Sequence, residues 1–257
     1  METEITDSRN IKSIVKAANI IQLLSTAEAP MSLGEISREL IMQKSTLHGI
    51  LATLCNVGYV VQIPDSGRYR LSVKLFELGN KVAASWNERK LAYPHMKRIV
   101  SLTGEAVHMA ILENGDVLYI HKLESDQSIR IVTDSGVRLP PHCSGVGKVL
   151  LSGLSDSEIQ KLIRKKGLVR YTENTIMDFD LLMAEINTVR RQGYAIDNQE
   201  FMIGLKCVAV PVADYRGKVT TALSISAPVA RMSGDTLERN KQLLQAAADA
   251  ITAQLKQ

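Results

Sequence analysis

Leu47, Ile50, Leu51 and Leu54 recur at the spacing of one helix face and predict a buried stripe along residues 43–54. The opposite face carries Lys44, Ser45 and His48 near its start, then the small residues Gly49 and Ala52. A helix that is polar and basic at its N-terminal end, and nearly bare beyond it, suits a DNA major groove. On its own the same pattern also describes an ordinary amphipathic surface helix. Its neighbours weigh between the two.

Upstream, Ile11 to Thr26 reads as a helix with Ile14, Ala18, Ile21 and Leu24 on one face, broken at Ala29-Pro30. Ser32-Leu33-Gly34-Glu35 is a capping-box pattern ahead of Ile36 and Leu40, so a short second helix starts there. A turn near Ile41-Met42 leads into the leucine-striped helix with helix–turn–helix spacing. Downstream, Gly58 stops that helix, and Tyr59 to Ile63 and Arg68 to Leu71 flank the turn residues Pro64-Asp65-Ser66-Gly67. Three helices followed by a hairpin make a winged helix. Arg68 and Arg70 share one strand face, placed for phosphate or minor groove. A solvated hairpin edge also favours arginine, but after a helix–turn–helix the DNA reading is preferred.

Charge placement points the same way. The net charge of +4 is mild, yet Leu40 to Pro64 contains no acid, and Leu40 to Lys74 carries four bases against Asp65 alone. Aromatic content of 4% argues against base-stacking platforms for single strands. No apolar run approaches the length of a membrane span, and the start, Met1-Glu2-Thr3-Glu4, is unlike a secretory signal. Cys55, Cys143 and Cys207 are scattered, suggesting neither a disulfide framework nor a CxxC metal site. A bacterial-type cytoplasmic protein is the simplest expectation, and 257 residues leave room for two domains.

Ser72 to Ser85 forms a further helical stretch, and Leu91 to Leu102 another that ends at Gly104. From Glu105 the pattern turns to strands. Ala106 to Leu112 and Val117 to Leu123 flank Asn114-Gly115, a strong hairpin signal, and Ile129 to Val132 is a third strand. Helices follow at Gly147–Leu154, Asp156–Lys165 and Phe179–Gln192, the second opened by a Ser155/Glu158 capping box. Strands at Tyr194–Ile196, Lys206–Val212 and Val219–Ala227 precede a closing helix at Gly234–Lys256. Hairpin-paired strands with grouped helices predict an α+β domain with an antiparallel-dominated sheet.

Lys44-Ser45-Thr46-x-His48-x-Ile50-Leu51-x-Thr53-Leu54, Gly58-Tyr59-Val60 and Tyr69-x-Leu71-x-x-x-Leu75-x-x-Leu78-Gly79 closely resemble the isocitrate lyase regulator (IclR) family of bacterial transcription factors. His142-Cys143-Ser144-Gly145-Val146-Gly147-Lys148, Arg191-Gln192-Gly193-Tyr194-Ala195-Ile196-Asp197, Gly204-Leu205-Lys206-Cys207 and Ala222-Leu223-Ser224-Ile225-Ser226-Ala227-Pro228 extend the resemblance to the family's GAF-like effector domain. It implies a winged helix–turn–helix over residues 1–71, a linker helix over 72–87 and an effector-binding domain over 88–257. It also implies a homodimer or dimer of dimers. One position departs: after His48 the family often carries arginine, and here stands Gly49.

By resemblance, the effector pocket uses the backbone of Gly145 and Val146 and the side chains of Asp197, Cys207, Ser224 and Ser226. The set is chemically sensible. Ser224 and Ser226 lie two apart on a strand and face one side. Serines and amides donate to a carboxylate, whereas Asp197 accepts from a hydroxyl or, protonated, donates. The bland readings are a solvent-facing strand for the serines and a small buried hydrophobe for Cys207. Gly145 and Gly147 offer either an anion-binding helix entry or close packing of a helix on the sheet. A Walker loop fails at His142 and Val149, and a dinucleotide fingerprint fails at Leu150.

His95, His108, His121, His142 and Cys143 show no metal-site spacing. Cys143 as nucleophile with His142 is disfavoured, since adjacent strand residues point opposite ways. The expectation is a non-enzymatic, cofactor-free regulator, with repression the preferred sense, bound to double-stranded operator DNA and answering to a small organic acid. Lys44, Ser45, Thr46 and His48 would read the groove, and Arg68 and Arg70 would touch backbone or minor groove. Two rivals stand beside it: a hydrolase-type small-metabolite enzyme with a helical appendage, and a winged helix that binds protein.

Overall fold

In the computed structural model, which describes residues 10–124 and 136–256, three helices and a hairpin surround one apolar cluster near the start of the chain. Helix α1 (Lys12–Thr26) contributes Ile20 and Leu24, α2 (Leu33–Glu39) contributes Ile36, and α3 (Lys44–Asn56) contributes Leu47, Leu51 and Leu54. Each such aliphatic side chain, fully buried, stabilises the fold by roughly 1.5–3 kcal/mol. The α3 stripe follows the sequence spacing, with Ile50 at its half-buried edge. In α1 the expected face is rotated. Ile14 and Ala18 are exposed, because the helix meets its neighbours through Ile20, Leu24 and the half-buried Ala17, Ile21 and Leu23.

The capping box at α2 is complete: Glu35 N–H donates to Ser32 Oγ at 3.3 Å and Ser32 N–H to Glu35 Oε2 at 2.7 Å. Strands β1 (Val60–Gln62) and β2 (Tyr69–Leu71) pair antiparallel as the wing. Met31 adds a bridge to Tyr69, with main-chain bonds of 2.9 and 2.7 Å. Helix α4 (Val73–Ser85) completes the first of two units, Met1–Ser85 and Trp86–Gln257.

The second unit is built on a six-stranded antiparallel sheet. Its strands are β3 (Ala106–Glu113), β4 (Asp116–Leu123), β5 (Arg138–Leu139), β6 (Ala195–Asn198), β7 (Leu205–Ala213) and β8 (Val219–Pro228). Their order is β5-β4-β3-β8-β7-β6. Asn114 and Gly115 both take positive φ, which makes the tight β3–β4 turn. The strand expected at Ile129–Val132 lies outside the described residues.

One sheet face packs on α5 (Asn87–Thr103) and α9 (Gly234–Leu255) through Met96, Ile99, Leu244 and Ile251. The other face carries alanines (Ala110, Ala195, Ala209, Ala222) against Val146, Val149 and Leu150 of α6 (Gly145–Ser152) and Val189 of α8 (Phe179–Gln192). Small residues on the strands let α6 lie close to the sheet. A further cluster joins α7 (Asp156–Lys166) and α8 through Ile159, Ile163, Leu182 and Ile186. Helix α6 begins two residues before its predicted start, since Gly147 N–H donates to Ser144 Oγ at 3.2 Å as an N-cap. Pro141–Cys143 form a 3₁₀ turn, so His142 and Cys143 are not strand neighbours as expected.

Candidate functional site

The N-terminus of α6 meets the ends of β6, β7 and β8 at a small cavity. Gly145, Val146, Asp197, Cys207, Ser224 and Ser226 all line it. The register explains why residues so far apart in sequence converge. Asp197 on β6 pairs with Cys207 on β7, which pairs with Ser226 on β8. Ser224, two residues back on β8, pairs with His108 on β3. All of these side chains share one sheet face, under the free N–H groups and positive end of α6. The cavity volume is about 20 Å³, where a single water needs roughly 10–15 Å³.

Both glycines of the α6 entry lie close to neighbouring atoms. A Cβ on Gly147 would collide with the Pro141 main chain, so this glycine is required for packing. Gly145 lies on the cavity wall, where a Cβ would come 3.3 Å from Ala209 Cβ.

Asp197 is buried at 1% exposure. Burial pushes its pKa up to about 7; the nearby Glu200 adds to the rise, and the Glu200 main-chain N–H and the Lys148 ammonium oppose it. Its Oδ1 accepts from Glu200 N–H at 2.8 Å. Behind it, the Lys148 ammonium donates to Glu200 Oε1 at 2.6 Å, Ile196 O at 2.6 Å and Glu185 Oε1 at 3.2 Å. Burial also pushes the Cys207 thiol up, so it enters the cavity as a neutral SH.

The cavity has walls that the sequence reading did not name. His108 packs against Tyr119 with tilted rings whose centroids are 5.0 Å apart, and its Nδ1 lies 3.4 Å from Ser226 Oγ. Burial, with the Lys122 ammonium in second place, pulls its pKa down to about 3, so the imidazole is neutral at physiological pH. Ser144, Leu139, Phe201 and Leu205 complete the lining. His108, whose spacing in the sequence suggests no metal site, lines the cavity from β3. His142 instead bonds Val169 O through Nε2 at 2.9 Å. No cluster among the described residues could hold a metal ion.

In the first unit, Lys44, Ser45, Thr46 and His48 of α3 are all exposed. The two wing arginines differ. Arg68 turns to α2, bonding Glu35 Oε2 at 2.8 Å and Pro30 O at 2.9 Å. Arg70 is exposed and, among the described residues, bonds Leu71 O at 3.4 Å. Gly49 has open space where a Cβ would stand. No described helix is long and apolar enough to cross a membrane.

Comparison with known proteins places both units. Residues 13–64 match the IclR helix-turn-helix domain, and residues 80–253 match the C-terminal domain of the bacterial transcriptional regulator IclR. The chain is 35% identical over 246 residues to the HTH-type transcriptional regulator KdgR of Escherichia coli K12, covering 96% of this chain and 93% of that protein. It is 30% identical to the HTH-type transcriptional repressor AllR of Salmonella paratyphi A, covering 99% and 93%. The crystal structure of Thermotoga maritima IclR aligns with a TM-score of 0.78 and 29% identity, over 96% of this chain and 100% of that one.

Proposed function

Because the chain belongs to the IclR family of bacterial transcriptional regulators, pairing a DNA-binding helix–turn–helix with an effector domain, we propose that it is a cytoplasmic repressor whose operator affinity is set by a small organic acid. Residues 1–71 act as the DNA-binding domain, 72–87 as the linker helix and 88–257 as the effector domain. Lys44, Ser45, Thr46 and His48 read the major groove, and Arg70 contacts a phosphate. Arg68, already paired with Glu35, supports the wing and meets DNA at its exposed edge. The acid's carboxylate sits on the N–H groups of Gly145 and Val146 with Ser224 and Ser226 as donors. Asp197 and His108 meet its hydroxyl or keto groups, beside the apolar Val146.

The observation that carries this reading is the convergence of six positions, 145, 146, 197, 207, 224 and 226, on one cavity at a helix N-terminus. Its volume of about 20 Å³ is too small for a multi-carbon acid. An acid that fills it has to part these walls, and two such arrangements are what a ligand must distinguish to act at a distance. A homodimer is supported by α4, which buries no residue and exposes Val73, Phe76 and Val82 at 69%, 68% and 55%. Ile11, just before α1, and Ile14 within it add exposed apolar surface to the same unit.

Fluorescence anisotropy with duplexes tiled across the DNA upstream of the gene tests the operator half. Saturable binding to one tile at physiological salt, surviving excess unrelated duplex, is expected. Equal affinity for every tile would overturn it.

A further inference from the structure

Ile41, in the turn between α2 and α3, stands in the left-handed region at φ +48°, a conformation β-branched side chains rarely adopt. Three bonds hold it there. Ile41 N–H donates to Arg38 O at 3.4 Å, Met42 N–H to Ser37 O at 3.0 Å, and Ser37 Oγ–H to Met42 O at 2.6 Å. These use the main chain and Ser37 alone, so a glycine at 41 would keep them without the strain. The isoleucine side chain is 91% exposed. It gains almost no packing that could offset its conformation, and a strained residue held by its surroundings points to function.

Its surroundings say what kind. Ile41 borders a cleft of about 350 Å³ shared with Lys16 and Asn19 of α1 and Gln43 and Thr46 at the start of α3. No acid lines this cleft, and none occurs from Leu40 to Pro64. Leu40 and Met42, both half-buried, also line it, so Ile41 is its one fully exposed apolar side chain, and cationic and hydrogen-bonding groups around that tip fit duplex DNA. Phosphates suit the polar rim, and the major groove offers an apolar feature at only one base, the C5-methyl of thymine.

Resting on the assignment of α3 as groove reader, we infer that Ile41 is a specificity-determining residue that reads a thymine methyl at the edge of each operator half-site. The left-handed conformation holds the side chain clear of the fold for that contact. Lys16 and Asn19 bind the adjacent phosphates.

The test uses the full-length protein and the upstream duplex it selects. Ile41→Gly and Ile41→Asn both suit positive φ and should melt no lower than the wild type. Each should bind the operator about fourfold more weakly per half-site, the equivalent of one methyl-sized apolar contact. Replacing thymine by deoxyuridine one position at a time removes only the methyl. One thymine per half-site should cost the wild type the same factor and cost Ile41→Gly nothing further. The inference is overturned if no thymine is sensitive, if the sensitivity persists in Ile41→Gly, or if both variants bind as tightly as the wild type. The last result would leave a protein partner as the reason for the exposed side chain. A wild type with no preferred duplex would overturn the groove-reading assignment itself.

Discussion

Lys148 and Glu200 meet at 2.6 Å with 1% and 8% of their side chains exposed. Glu185 approaches the same ammonium at 3.2 Å, and Glu200 Oε2 has no partner among the described residues. Removing one member of a buried pair leaves the other charge without compensation. Lys148→Ala should therefore cost roughly 3–5 kcal/mol and lower the melting temperature of the second unit by roughly 10 °C. The double variant Lys148→Met, Glu200→Leu should recover most of that loss. Trp86, the chain's single tryptophan, packs on this unit's core and reports its unfolding. A loss under about 1 kcal/mol in the single variant would contradict the pairing.

Asp197 gives this unit a pH dependence. Its pKa is raised from 3.8 to about 7, chiefly by burial. Between those values the folded state holds a proton that the unfolded chain has released, so stability falls as pH rises through that window and levels off above it. Asp197→Asn should flatten the slope and melt higher than the wild type near neutral pH. If Trp86 fluorescence gives parallel pH profiles for the two proteins, Asp197 is not the group responsible.

The cavity side chains should separate sensing from DNA binding. Ser224→Ala should abolish thermal stabilisation by whichever member of a panel of hydroxy and keto acids stabilises the wild type. Operator affinity without acid should stay within about twofold, since the change lies in the other unit. An undiminished thermal shift in Ser224→Ala would remove the serine from the site.

The two wing arginines should part ways. Arg68→Ala breaks a half-exposed pair with Glu35 and should cost up to about 1 kcal/mol of stability. Arg70→Ala should leave stability alone, weaken DNA binding across all sequences and reduce the salt slope by about 1. An unchanged salt slope would count against a phosphate contact at Arg70.

Gly49 offers a gain. Nothing blocks a side chain there, so Gly49→Ala should stabilise α3 by roughly 1 kcal/mol. Gly49→Arg, adding a guanidinium beside the proposed groove readers, should tighten DNA binding and steepen the salt dependence by about 1. A flat response would show that this position faces away from DNA.

Features set by neighbours in sequence were legible. The Ser32/Glu35 and Ser155/Glu158 capping boxes and the Asn114-Gly115 turn follow from local chemistry, and the structure contains them. Faces chosen by distant partners were less so. Spacing alone could not tell that α1 would bury Ile20 rather than Ile14. A helical lysine reads as solvent-exposed, so the burial of Lys148 left no signal in composition or period. Pro140-Pro141 ahead of His142 is the local signal by which that break in the strand could be found. The six cavity positions were named through family resemblance, while His108, Tyr119 and Phe201 reach the same space from segments whose register no spacing records.

The most direct test is operator affinity measured by anisotropy with and without a saturating acid that raises the melting temperature of the second unit. The expected result is a change of at least about fivefold, present in the wild type and absent in Ser224→Ala. An acid that stabilises the protein yet leaves operator affinity identical would contradict the coupling of the two units.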